Sequence, residues 1–238
     1  MPHMFTNRPR RFAFQRDRAD IRGQFRWETI NAFAYKLGGL LFVIGSILFF
    51  PSMSAYMDVG CWIFFVGSLV YLVVTVHDLI EVHLHWNGAP DFPPEAVCEY
   101  TAALSYVVGT LLFVLGSVFF LSEVGWITLA GWSFIIGSLL FVVGASINVV
   151  QVVKHRDRLT LQLMNLTAVS FVTGSVLFTV ASVPILWDLQ TAGDDRLVGA
   201  FLGWQYLVGS GLFLLGGVFN YWRAYVFMCR EEDECQSG

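Results

Sequence analysis

His77, Glu81 and His85 stand four residues apart, a spacing that places all three on one helix face wherever a helix runs through them. Asp78, His83 and Asp91 lie close by in the chain. Imidazole and carboxylate together could hold a divalent metal such as zinc. The His-Glu-x-x-His order of a zinc peptidase is missing, however, and the other copies lack the histidines, His155 alone recurring nearby. An interfacial cluster of His and Glu that responds to pH is therefore preferred to a metal site. No metal and no other cofactor is expected, and His77, Glu81 and His85 are the candidates should one bind.

A second set of polar residues repeats along the chain. Asp78, Asn148 and Asn220 close three apolar runs, and three residues later come Glu81, Gln151 and Arg223, on the same helix face. Polar groups at membrane depth are functional candidates by default. These lie near the membrane edge, where the cost of polarity is small. Hydrogen bonding between helix ends, including a Glu81–Arg223 pair, is the preferred role. Glu28 and Glu99 precede two further apolar runs at matched positions, where a carboxylate favours a helix N-terminus.

Other chemistry finds no footing. There is no phosphate-binding loop, no nucleotide fingerprint, no Ser–His–acid order and no pair of histidines inside an apolar run. Of the four cysteines, Cys61 lies in an apolar run and Cys98 just before one; Cys229 and Cys235 match no metal-knuckle spacing. They are read as free thiols. No catalytic residue is expected, so the chain is not read as an enzyme.

The elements that carry these residues follow from composition. Hydrophobic residues make up 56% of the 238, charged residues only 13%, and mean hydropathy is +0.63. Soluble domains carry roughly 25% charge. A soluble fold of this size cannot hide so much apolar surface, so a bilayer must solvate it. Six apolar runs, near 30–51, 58–80, 100–122, 125–149, 162–187 and 198–226, are each long enough to cross about 30 Å of hydrocarbon as helix. An all-α integral membrane protein is the expected fold class, since lipid offers no partner to backbone amides outside a helix.

Charge sets the expected orientation. Arg8, Arg10, Arg11, Arg16, Arg18, Arg22 and Arg26 crowd the start, and Glu231, Glu232, Asp233 and Glu234 the end. The Arg-rich segment is read as an orientation signal and lipid-headgroup contact, with no nucleic-acid partner. Of the fourteen Lys and Arg, all but Arg196 fall on the side of the N-terminus and the even connections, with Lys36 and Arg223 placed at that membrane edge. Both termini are then cytoplasmic in a multi-pass protein of the cell inner membrane. No cleavable signal peptide is expected, because the first apolar run begins near Ile30 and lacks a clear cleavage site.

The runs repeat. In the first, third and fifth, Gly38, Gly109 and Gly174 correspond, as do Phe42, Phe113 and Phe178; Gly45, Gly116 and Ala181; and Ser46, Ser117 and Ser182. In the others, Trp62, Trp132 and Trp204 match, then Gly67, Gly137 and Gly209, then Ser68, Ser138 and Ser210, then Tyr71, Phe141 and Phe213. The chain thus divides into a basic segment 1–29, hairpin 30–82, linker 83–99, hairpin 100–153, linker 154–161, hairpin 162–226 and acidic tail 227–238. Each hairpin crosses twice, so the three copies are parallel. A small residue, an aromatic four on and a small residue seven on recur, as in Gly109-Phe113-Gly116 and Gly137-Phe141-Gly144. These spacings share one helix face. Gly38, Gly45, Gly67, Gly109, Gly116, Gly137, Gly144, Gly174, Gly209 and Gly216 are accordingly assigned to helix packing.

Trp27-Glu28-Thr29-Ile30-Asn31, Gly38 through Gly45-Ser46, Phe49-Phe50, a short loop, and Trp62 with Gly67-Ser68 resemble the YrhK-domain family of small two-span membrane proteins. Glu99 and Gly116-Ser117 carry the likeness into the second copy; in the third, Met164 replaces the Glu and Ala181 the Gly. The resemblance implies a multi-span membrane protein and no catalytic residues. A non-enzymatic scaffold, assembly component or sensor is the first functional expectation, with the lipid bilayer and protein partners or further copies of itself as its contacts. The alternative is a channel or transporter for a small neutral solute, its path lined by Ser46, Ser117, Ser182, Ser68, Ser138 and Ser210.

Overall fold

The computed structural model describes residues 21–87, 93–152, 158–187 and 191–237, with side chains over 29–87, 93–150, 158–187, 191 and 193–226. Residues 1–20, Asp91, residues 154–157 and the side chains of Arg22, Arg26, Glu28, Gln151 and the acidic tail lie outside this description. Among the described residues are six long helices and no strand: α1 (Ile21–Leu48), α2 (Met57–Trp86), α3 (Pro94–Phe119), α4 (Ile127–Val152), α5 (Arg158–Ser182) and α6 (Ala192–Ser237). Each holds a stretch long and apolar enough to cross a membrane, with mean hydropathy from 1.5 to 2.3. The chain is a multi-pass membrane protein.

The connections follow local chemistry. Pro93 and Pro94 open α3, where a missing N–H costs nothing. A 3-10 turn over Pro51–Tyr56 joins α1 to α2. Between α3 and α4 the chain reverses at Gly125, whose φ of 65° suits glycine and whose N–H donates to the Leu121 carbonyl at 2.8 Å. A second 3-10 turn, Val183–Leu186, ends the descent of α5.

The helices form a closed ring. Each packs on its two chain neighbours, and α6 closes on α1. Within each hairpin the crossing point is a glycine pair. A Cβ on Gly38 would stand 3.3 Å from the Gly67 carbonyl oxygen, one on Gly109 2.9 Å from that of Gly137, and one on Gly174 3.0 Å from that of Gly209. Around each crossing the same aromatics fill the same gaps: Phe42 against Gly67, Phe113 against Gly137, Phe178 against Gly209. Phe64 likewise meets Gly45 and Phe134 meets Gly116, while Tyr106 meets Gly144 and Phe171 meets Gly216. The three hairpins therefore repeat in packing as well as in sequence, the third included.

Inward faces are aromatic and outward faces aliphatic. Phe42, Phe64, Phe113, Phe134, Phe178 and Tyr206 are buried, whereas Leu40, Ile44, Val73, Leu111, Leu115, Val143 and Leu215 are exposed. In water such an exterior would aggregate; in a bilayer it is the solvated face. Trp62, Trp132 and Trp204 also point outward, at matched positions.

Candidate functional site

The ring axis is filled by layers of matched aromatics. Phe64, Phe134 and Tyr206 form a nearly equilateral triangle, with ring centroids 6.3, 6.2 and 6.2 Å apart. Phe42, Phe113 and Phe178 form a second, at 6.4, 6.4 and 5.7 Å. Tyr71, Phe141 and Phe213 follow, with Phe141 and Phe213 at 6.1 Å, and then Tyr35, Tyr106 and Phe171, with Tyr35 and Phe171 at 5.4 Å. Between the second and third layers lies a void of about 10 Å³, lined by those six rings and Thr110. That is at the lower limit for one water, and its apolar walls offer a water almost nothing to bond.

The six serines do not border an open path. Ser46, Ser117, Ser138 and Ser182 each donate to the carbonyl four residues back, those of Phe42, Phe113, Phe134 and Phe178. Ser46 also pairs with Ser210 at 3.0 Å across the α1–α6 seam, and Ser182 with the Tyr206 hydroxyl at 2.8 Å. All six are fully or almost fully buried. The Ser46–Ser210 and Ser182–Tyr206 bonds tie neighbouring helices together, as hydroxyls do in lipid, while Ser68 Oγ has no partner among the described residues.

Polarity gathers at the end of the ring where α1, α3 and α5 begin. Asp78, Glu81, Glu99, Asn148, Asn220 and Arg223 are all buried there. The Asn148 amide donates to the Tyr106 hydroxyl at 3.1 Å, while its own oxygen is buried with no partner among the described residues. Arg223 donates to the Asn220 oxygen from Nε at 3.3 Å and from Nη2 at 3.2 Å. Those three positions thus serve helix-end bonding, with partners one turn away or across a hairpin.

The histidines diverge. α2 does continue past the apolar run, to Trp86. The Asn31 amide donates to His77 Nδ1 at 3.0 Å, which leaves the proton on Nε2, 3.9 Å from a Glu81 oxygen. His83 Nδ1 lies 3.2 Å from the Tyr100 hydroxyl, and His85 turns its ring onto Trp86 at 4.8 Å. Among the described residues no three His, Cys, Asp or Glu come together as a metal site would need.

One expectation is corrected. α3 starts at Pro94, so Glu99 lies past the first turn, where the helix dipole has faded. Its carboxylate accepts the Trp86 indole N–H at 2.9 Å instead, tying the end of α2 to α3. Lys36 lies within the apolar stretch of α1. Its ammonium sits 4.1 Å from the centre of the Tyr221 ring.

Sequence reasoning missed Tyr106, Asn31 and Tyr221, the partners of Asn148, His77 and Lys36. For Lys36 a signal existed: the matched positions in the other copies are Val107 and Val172.

A closed ring of three helical hairpins, apolar outside and aromatic inside, defines a multi-pass membrane protein of hairpin repeats. Its first two hairpins are YrhK-like domains, because the family described as YrhK-like protein matches residues 25–82 and again 97–153. The third hairpin lies outside both matches and is related to the others by the glycine crossings and axial layers. No curated protein and no solved structure matches the chain.

Proposed function

We propose that this protein is a non-catalytic membrane scaffold, an assembly or sensor component, seated in the cytoplasmic membrane with both termini in the cytoplasm. The axial aromatic stack is the observation that carries this reading. Four layers of rings occupy the one place where a pseudo-threefold ring would conduct, and the void among them is about 10 Å³. Four of the six serines, Ser46, Ser117, Ser138 and Ser182, already bond to carbonyls of their own helices. Both features speak against the alternative, a path for a small neutral solute. The charge asymmetry supports the orientation.

Proteoliposomes test the choice. Stopped-flow uptake of glycerol and urea should equal that of protein-free vesicles, and the full chain crosslinked in native membranes should capture partners or further copies of itself. Solute flux above the protein-free rate, abolished by bulky substitution at Ser117, would establish the channel instead.

A further inference from the structure

The ring breaks its threefold symmetry at the seam where α6 closes on α1. Three positions at this seam differ in kind from their counterparts. Lys36 of α1 matches Val107 and Val172; Tyr221 of α6 matches Leu79 and Val149; Gly217 matches Thr75 and Ala145. At the other two seams the corresponding groups are therefore aliphatic or small. Here they form one arrangement. A Cβ on Gly217 would stand 2.7 Å from the Tyr35 ring, so the bare glycine makes room for that ring; the Lys36 stem passes beside it, Cγ at 3.4 Å, and one turn further the ammonium lies over Tyr221.

That ammonium is an expensive group in an expensive place. It belongs to the apolar stretch of α1, and its stem passes beside Gly217 of α6. Among the described residues it has no carboxylate partner and no hydrogen bond, only the face of a ring. A cation held this way in a span needs a counter-anion from outside the ring. The surroundings say which. Lys36 is part-exposed, and Trp222 and Tyr225, exposed on the next positions of α6, are residues of the headgroup level. Leu37 and Leu40 of α1 and Val218 of α6 are exposed beside them, an apolar track leading down the span. An anionic group with acyl chains attached meets every one of these features.

We infer that the α1–α6 seam is a binding site for one anionic phospholipid, its phosphate on Lys36 Nζ and the Tyr221 hydroxyl, its acyl chains along Leu37, Leu40 and Val218. Tyr221 holds the ammonium by its ring and presents its hydroxyl as a donor. A zwitterionic lipid brings its own cation to the same phosphate and competes with Lys36, so the site prefers net negative charge.

Native mass spectrometry of the delipidated full chain, titrated with phosphatidylglycerol, reads this directly. The native protein should retain one phosphatidylglycerol in preference to phosphatidylcholine. Lys36→Met should weaken that adduct about fivefold, the worth of one cation at a membrane surface. Lys36→Arg should keep it, and Tyr221→Leu should lower it. An adduct as strong in Lys36→Met as in the native chain overturns the proposal. So does equal retention of phosphatidylcholine, and so does displacement of the lipid by millimolar inorganic phosphate, which would make the site one for the free anion. Elution of all variants at the native position on size exclusion separates loss of the site from loss of the fold.

Discussion

Gly109 and Gly137 bring two helix backbones so close that a Cβ on either would stand 2.9–3.0 Å from the other's carbonyl oxygen. The obstacle is backbone and cannot rotate away. Gly109→Ala and Gly137→Ala should therefore force α3 and α4 apart and cost about 1–3 kcal/mol each. Gly211 gives the contrast, because a Cβ there meets nothing within 4 Å. Gly211→Ala should be neutral or stabilising by up to about 1 kcal/mol, through helix propensity alone. Thermal unfolding in one detergent ranks the three; equal losses would mean that the crossing is not where these helices touch.

Phe178 is fully buried on the axis and faces Phe42, Phe113, Phe64, Tyr206 and Phe213. A ring with partners in all three hairpins cannot be replaced from one side. Phe178→Ala should cost about 3–5 kcal/mol and leave a cavity where the layers meet. Equilibrium unfolding in sodium dodecyl sulfate measures the loss. A cost under about 1 kcal/mol would show that the hairpins, and not the axis, hold the ring together.

Tyr106 and Asn148 form a cycle with a defined sign. Tyr106→Phe leaves the Asn148 amide without its acceptor, next to an oxygen that already lacks a donor. It should cost about 1–2 kcal/mol alone. In an Asn148→Leu background nothing polar remains to be orphaned at that position, and the same change should cost less by about 0.5–1 kcal/mol. Additive losses would mean that the two side chains do not bond.

How much of this was legible in the sequence depends on what each residue had to reveal. The register of Phe42, Phe113 and Phe178, and of the glycine pairs, was readable, because close packing in lipid demands small and aromatic residues at fixed steps and few others serve. The serines were ambiguous: a hydroxyl bonded to the carbonyl four residues back carries the same letter as one lining water. The meeting of Tyr106 with Asn148 was hidden because tyrosine in an apolar run passes for another ring. Glu99 went wrong through a boundary. α3 begins earlier than hydropathy implied, because Pro93 and Pro94 start the helix while Glu95 and Glu99 keep its first turns out of an apolar run.

Asp58 and Ser122 clasp the far end of the first two hairpins. The carboxylate opening α2 accepts the Ser122 amide at 2.9 Å and its hydroxyl at 2.5 Å. Asp58→Asn should keep α2 intact but speed amide exchange at Ser122 and its neighbours. Hydrogen exchange unchanged in that turn would mean the clasp contributes nothing to its order.

Cys98 provides the test of orientation. It is exposed near the start of α3, on the side of the ring where α1 begins, whereas Cys61 is buried in α2 and shielded from reagent. With Cys61, Cys229 and Cys235 replaced by Ala, a membrane-impermeant maleimide should label Cys98 in inverted vesicles and not in intact spheroplasts. Ser122→Cys in a chain without other cysteines should label the other way round, because Ser122 is exposed at the opposite end, between α3 and α4. The reversed pattern would place both termini outside and set the Arg-rich start against the membrane potential, contrary to the charge rule on which the orientation rests.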